Sequence, residues 1–139
     1  MRAWLTQVDG MKFRAGMDGG PEIVLHAAGK DETPEAPSPF QTALLAAMGC
    51  TASDIVYILK KERQPITGLE IVAEAERAPS EPRVLTKVHL HYKVYGNGVR
   101  ESAVQRAVDL STEKYCSVGI MLRRGGVEWE NSFEILPPK

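Results

Sequence analysis

The chain has 139 residues, with 17 basic against 18 acidic side chains and a formal net charge of −1. A length of this order fits one domain, residues 1–139, with a small core, and the charge balance excludes the basic footprint that nucleic acid or an anionic membrane selects. No uninterrupted apolar run approaches the roughly 20 residues of a membrane span, and Met1 to Asp9 lacks the apolar centre of a signal peptide, so a cytoplasmic protein without nucleic-acid or membrane partners is expected.

Ala3 to Val8 reads as a strand, Asp9-Gly10 as a tight turn, and Lys12 to Met17 as the hairpin partner. Asp18-Gly19-Gly20-Pro21 is turn chemistry, and Glu22 to His26 follows as a third strand. Ala28 to Pro37 carries no apolar period and reads as a linker. Ser38 is a good N-cap, Pro39 suits the first helical position and Gln41 completes a capping box. The helix they start extends to about Arg63, since Pro65 forbids much more. Its spacing places Leu44, Leu45, Met48, Ala52, Ile55 and Leu59 on one apolar stripe. Cys50 falls on the opposite side with Ala43, Ala46, Ala47, Ser53, Asp54 and Tyr57.

Two long strands come next. Leu69, Ile71, Ala73 and Ala75 alternate with Glu70, Val72, Glu74 and Glu76. Val84, Thr86, Val88, Leu90, Tyr92 and Val94 alternate with Lys87, His89, His91 and Lys93. A hairpin with one wet face is expected, acidic side chains facing basic ones. After the Gly96-Asn97-Gly98 turn, Glu101 to about Glu113 is a helix with Val104, Ala107, Val108 and Leu110 inward. Cys116 to about Arg123 is a short helix stopped by Gly125-Gly126, and Val127 to Ile135 is a last strand. The order βββ-α-ββ-αα-β is an α+β fold.

The chemistry centres on Cys50 and Cys116, the two cysteines of the chain. They lie too far apart for a local redox motif, so they act together only if the fold joins them. In a reducing compartment such thiols serve catalysis or redox exchange more than permanent crosslinking. The plainer reading is two small buried hydrophobes. Cys116 opens a helix, where free N–H groups favour negative charge. Cys50 is mid-helix and needs a basic partner from elsewhere, for which Arg14 in the second strand is the candidate. Asp54 and Tyr57 beside Cys50 offer acid–base groups, or simply a polar helix surface. His89 and His91 share a strand face that would suit zinc together with cysteines, but flanking lysines favour a solvated face. Trp4 and Trp129 read as core or interface. Phosphate-binding glycine loops and the nucleophile elbow are absent.

The stretch from Ser38-Pro39 through Leu44-Leu45-Ala46-Ala47 to Cys50 resembles the first-cysteine helix of the OsmC/Ohr family. Arg106 to Val118, with Asp109-Leu110-Ser111 and Lys114-Tyr115-Cys116, resembles its second-cysteine segment. The element order matches as well. The resemblance implies an intertwined homodimer of OsmC-like fold and a thiol peroxidase that reduces organic hydroperoxides in oxidative-stress defence. It implies that Cys50 attacks the peroxide and becomes a sulfenic acid, that Cys116 resolves it as a disulfide, and that a dithiol reductant of lipoyl type reopens the bond. It implies no cofactor and no metal. The hydroperoxide-reductase branch places a Glu after the proline of the helix start, to position an activating arginine. Here that position is Phe40, followed by Gln41. Where the family often has Pro after the second cysteine, this chain has Ser117. The loss of that glutamate motivates an alternative, a non-catalytic protein of the same fold that binds an apolar ligand at the dimer interface.

Overall fold

A computed structural model describes residues 1–139. It is an α+β structure in two compact units, Met1–Ala46 and Ala47–Lys139.

The first unit is an antiparallel meander of β1 (Ala3–Asp9), β2 (Lys12–Met17) and β3 (Glu22–His26). Gly10 turns the first hairpin with a φ of 53°, a left-handed conformation that costs glycine little. The linker that follows is tied down by His26. This buried ring accepts a hydrogen bond from the Glu35 backbone N–H at Nδ1 (3.0 Å) and faces Glu32 with Nε2 (3.4 Å). The capping box forms as expected: Gln41 N–H donates to Ser38 Oγ (3.1 Å) and Ser38 N–H donates to Gln41 Oε1 (2.9 Å). Such a cap stabilises a helix by about 1 kcal/mol.

That helix, α1 (Pro39–Lys61), differs from expectation in two ways. Its buried positions are Ala47, Thr51, Ile55, Ile58 and Leu59, whereas Leu45 is 48% exposed. The residues around Leu44 to Ala52 are small or apolar almost all round the helix, so their period did not mark which side turns inward. At 23 residues, α1 is also long and apolar enough, by length and composition, to cross a membrane. Gly49, Thr51, Ser53 and Asp54 interrupt its apolar residues, so no continuous apolar run marks it. Of its most apolar 18 residues, 22% are buried.

The second unit holds a sheet of order β4-β5-β6: β4 (Ile66–Arg77), β5 (Leu85–Gly96) and β6 (Glu128–Leu136). The β4–β5 hairpin has the expected wet face, with Glu70 opposite Lys93, Glu74 opposite His89 and Glu76 opposite Lys87. On the other face Val88, Leu90, Tyr92 and Val94 are fully buried, each apolar side chain contributing about 1.5–3 kcal/mol. The expected alternation fails at the start of β5. Val84 is exposed and Leu85 buried, because the register shifts beyond Glu76 and Thr86 turns aside to donate to the Glu76 carbonyl (3.2 Å).

β6 runs parallel to β5, so the chain crosses over between them. The crossover comprises α2 (Glu101–Leu110), a π-helical turn (Ser111–Tyr115) and α3 (Ser117–Arg124). Ala103, Val104, Ala107 and Val108 are the buried face of α2. The second helix was expected to run on to Glu113. Instead it widens at Ser111, whose carbonyl accepts from the Cys116 N–H (2.8 Å), while Thr112 Oγ1 donates to the Val108 carbonyl (2.7 Å). Such π turns are frequent at functional sites, and this one delivers Cys116 to the start of α3.

Candidate active site

The second unit brings the two cysteines together. Cys50 Sγ, Cys116 Sγ and a carboxylate oxygen of Asp54 all lie within 4.8 Å of one another. Both cysteines are free thiols, Cys116 buried and Cys50 half-buried. A small side-chain movement would bring the sulfurs to bonding distance.

The N-terminus of α3 organises this pair. Cys116 is its N-cap, and Gly119 N–H donates to Cys116 Sγ (3.4 Å). A Cβ at Gly119 would stand 3.1 Å from that sulfur, so the glycine permits the close approach. Cys116 Sγ also lies 3.8 Å from the Ala47 carbonyl, as a donor. Ser117, the first residue of α3, places its Oγ 4.0 Å from Cys50 Sγ.

These surroundings drive the two thiols apart in acidity. Burial pushes the Cys50 thiol up, but the Val118 backbone N–H, the Cys116 thiol and the Ser117 hydroxyl together outweigh it. Its pKa therefore lies below the ordinary thiol value, despite the opposing charge of Asp54. Cys116 is pushed up to about 12, first by burial, with the Gly119 amide opposing and Cys50 and Asp54 adding to the rise. By sequence position only Cys116 stands at a helix start. In the structure Cys50 draws on the same N-terminus, and Cys50 is the thiol whose acidity increases.

A line of buried hydroxyls leads away from Asp54. Ser111 Oγ donates to Asp54 Oδ2 (2.9 Å), Thr51 Oγ1 meets Ser111 Oγ (2.8 Å), and Tyr92 Oη lies 3.3 Å from Thr51 Oγ1. Tyr92 donates in turn to Asn131 Oδ1 (3.2 Å), and Asn131 Nδ2 donates to Thr112 Oγ1 (2.9 Å). Burial pushes the Tyr92 phenol up to about 12, a Thr51 hydrogen bond opposing and Cys116 adding. Sequence reasoning missed Thr51, Ser111, Tyr92 and Asn131 as site residues. Tyr92 was assigned to a buried face and the others had no spacing that marks chemistry.

The other candidates have partners of their own. Arg14 lies in the first unit, on β2. Its guanidinium makes a two-pronged pair with Glu22 (Nε–Oε2 2.8 Å, Nη2–Oε1 2.6 Å) and sits 5.8 Å over the Trp4 ring. His89 Nε2 and His91 Nδ1 share Ser132 Oγ at 2.7 and 2.8 Å, and His91 Nε2 faces Glu134 (3.3 Å). No histidine joins the cysteines, so the nitrogen–sulfur zinc site weighed from sequence does not assemble. Tyr57 is exposed, with Lys61 Nζ 5.9 Å from its ring, in a groove of about 1090 Å³ that also includes Asp54. Trp129 lies beside Cys116 and Gly119.

The chain matches the family model described as OsmC-like protein over residues 29–131. Protein YhfA of Escherichia coli (strain K12) is 40% identical over 136 residues, covering 98% of each chain. A solved structure of a hypothetical protein from Aquifex aeolicus VF5 is 26% identical with a TM-score of 0.85, covering 99% of this chain and 97% of that one. An organic hydroperoxide resistance protein OsmC from Legionella pneumophila is 17% identical with a TM-score of 0.68, covering 96% and 95%, a likeness of fold. The two cysteine segments, their meeting at α3 and these matches have one conclusion: the chain belongs to the OsmC-like protein family.

Proposed function

We propose that the protein is a thiol-dependent peroxidase of organic hydroperoxides, with Cys50 as the attacking thiolate and Cys116 as the resolving thiol. The observation that carries this reading is the meeting of two free thiols of opposite acidity at one helix N-terminus. The more acidic one is also the more accessible one. A thiolate of this kind attacks the terminal oxygen of R–O–OH. The S–O bond forms as the O–O bond breaks, and the alkoxide takes a proton to leave as alcohol. The Cys50 sulfenic acid then reacts with Cys116, giving the disulfide and water. An external dithiol, of lipoyl type by family resemblance, restores both thiols.

The Legionella protein of the same fold is described as an organic hydroperoxide resistance protein, which agrees in chemistry. Arg14 enters the proposal as an activating cation. Glu22 supplies it with the carboxylate partner that Phe40 does not. A homodimer is part of the reading. It is supported by the exposed apolar side chains Leu45, Val72 and Met121, and by α1, a helix whose most apolar stretch is only 22% buried. Purified protein supplied with an alkyl hydroperoxide and a dithiol should consume the peroxide catalytically, and Cys50→Ser should stop it. Undiminished turnover in that variant would sink the assignment.

A second reading, small-ligand binding without turnover, is favoured by the groove lined by Tyr57, Ile58, Ala103 and Leu110. Its volume suits a drug-sized molecule. Ligand binding by the Cys50→Ser protein with no peroxide consumption by the parent would select it.

A further inference from the structure

A carboxylate stands at the thiol pair with no role in the reaction so far. Asp54 lies within 4.8 Å of both sulfur atoms, and Ser111 holds its Oδ2 in place. Four contacts run from Asp54 through Ser111, Thr51 and Tyr92 to Asn131 Oδ1. They are linked by three hydroxyl groups, and each hydroxyl carries one proton.

With Asp54 ionised, three protons must serve four contacts. Ser111 donates to Asp54, Thr51 to Ser111, and Tyr92 to Asn131. The contact between Thr51 and Tyr92 is then left without a proton, and at 3.3 Å it is the longest of the four. A proton on Asp54 removes the deficit. Asp54 then donates to Ser111, Ser111 to Thr51, Thr51 to Tyr92, and Tyr92 to Asn131. The hydroxyls can turn to meet the carboxyl in either state, and every contact has its hydrogen when Asp54 carries the proton.

We propose that Asp54 carries the proton in disulfide formation, taking it from Cys116 as that sulfur attacks and delivering it to the leaving oxygen. The proposal rests on the reading of Cys50 as the sulfenic acid. The S–S bond forms while the Cys50 S–O bond and the Cys116 S–H bond break. Cys50–SOH and Cys116–SH become the disulfide and one water. The sulfenic sulfur is reduced and the thiol sulfur oxidised, so no further reagent is needed. A carrier is required because buried Cys116 holds its proton strongly. The histidines of this unit are engaged by Ser132. Of the charged groups that share the groove with Asp54, Arg106 pairs with Glu62 (3.4 Å) and Lys61 lies over Tyr57, leaving Arg100 as the remaining cation.

The attack of Cys116 can be timed without any hydroperoxide. Cys50 is loaded with thionitrobenzoate as a mixed disulfide, and release of the coloured thiolate reports closure. Asp54→Asn should slow release at least tenfold near neutral pH and move the rise of rate to more alkaline pH. Loading of Cys50 should be kept or quickened, because a neighbouring negative charge is gone. Asp54→Glu should recover part of the closure rate, and Ser111→Ala, which keeps the carboxylate but cuts the chain, should slow closure less than Asp54→Asn. Release at the parent rate and pH profile in Asp54→Asn would overturn the proposal. So would slowing of loading and closure in equal measure with no recovery in Asp54→Glu. If the parent closes normally but consumes no hydroperoxide, the peroxidase reading fails, and the closure rate of Asp54→Asn still decides whether Asp54 takes the proton of Cys116.

Discussion

Cys50 Sγ stands 4.0 Å from Ser117 Oγ, so the residue after the second cysteine reaches the first. A proline there, common in the family, has neither a hydroxyl nor a backbone N–H to offer. Ser117 contributes a hydrogen bond to the Cys50 sulfur and belongs to the helix start that lowers its pKa. This chain thus has a local means of activating Cys50 where the glutamate of the hydroperoxide-reductase branch is replaced by Phe40.

The Ser117 contact makes a quantitative prediction. A neutral hydrogen bond contributes about 0.5–1.5 kcal/mol net, so Ser117→Ala should lower the thiolate population of Cys50 near neutral pH by roughly two- to tenfold. Alkylation rates followed against pH read this directly. An unchanged rate would mean that the hydroxyl does not act on the sulfur.

Cys116→Ser separates the two halves of the proposed cycle. The variant should reduce one equivalent of hydroperoxide and stop, leaving a Cys50 sulfenic acid that a sulfenic-specific nucleophile captures. Sustained turnover at the parent rate would show that Cys116 is not the resolving group.

In the proposed cycle Arg14 acts in the first step. Arg14→Ala should slow sulfenic acid formation severalfold while leaving disulfide closure unaffected, and stopped-flow measurement of both steps distinguishes them. Equal rates in both steps would restrict Arg14 to its pair with Glu22 and Trp4.

The raised thiol and phenol of Cys116 and Tyr92 link stability to alkaline pH. Their ordinary values are 9.0 and 10.0, and both rise to about 12 in the folded protein. The unfolded chain therefore releases these protons first. Between about 9 and about 12 the folded state binds more protons than the unfolded state, so stability falls as pH rises through that window. Urea midpoints recorded against pH should show the decline, and Cys116→Ser should make it shallower. A flat dependence in the parent protein would contradict the burial of these groups.

Much of this was legible in the chain itself. Ser38, Pro39 and Gln41 specify a helix start through local hydrogen bonds, and the helix begins there. Alternation in β4 and β5 sets the register that pairs Glu70 with Lys93 and Glu74 with His89. The cysteine segments, read as motifs, point to the family. These signals are local, because capping and strand alternation act within a few residues. What they leave open is the rotation of α1, whose small and apolar residues have no charged face to orient it. Tertiary packing turns Thr51 inward to meet Tyr92 and Ser111, and this rotation sets Cys50 and Asp54 at the edge of the core. The π turn at Ser111 was equally hidden, since one extra residue in a turn leaves the helical pattern of α2 intact. By itself the sequence determined which residues carry sulfur chemistry and on which elements. Only the tertiary structure decided that both thiols share the start of α3, because acidity depends on burial and on amides that arrive from distant parts of the chain.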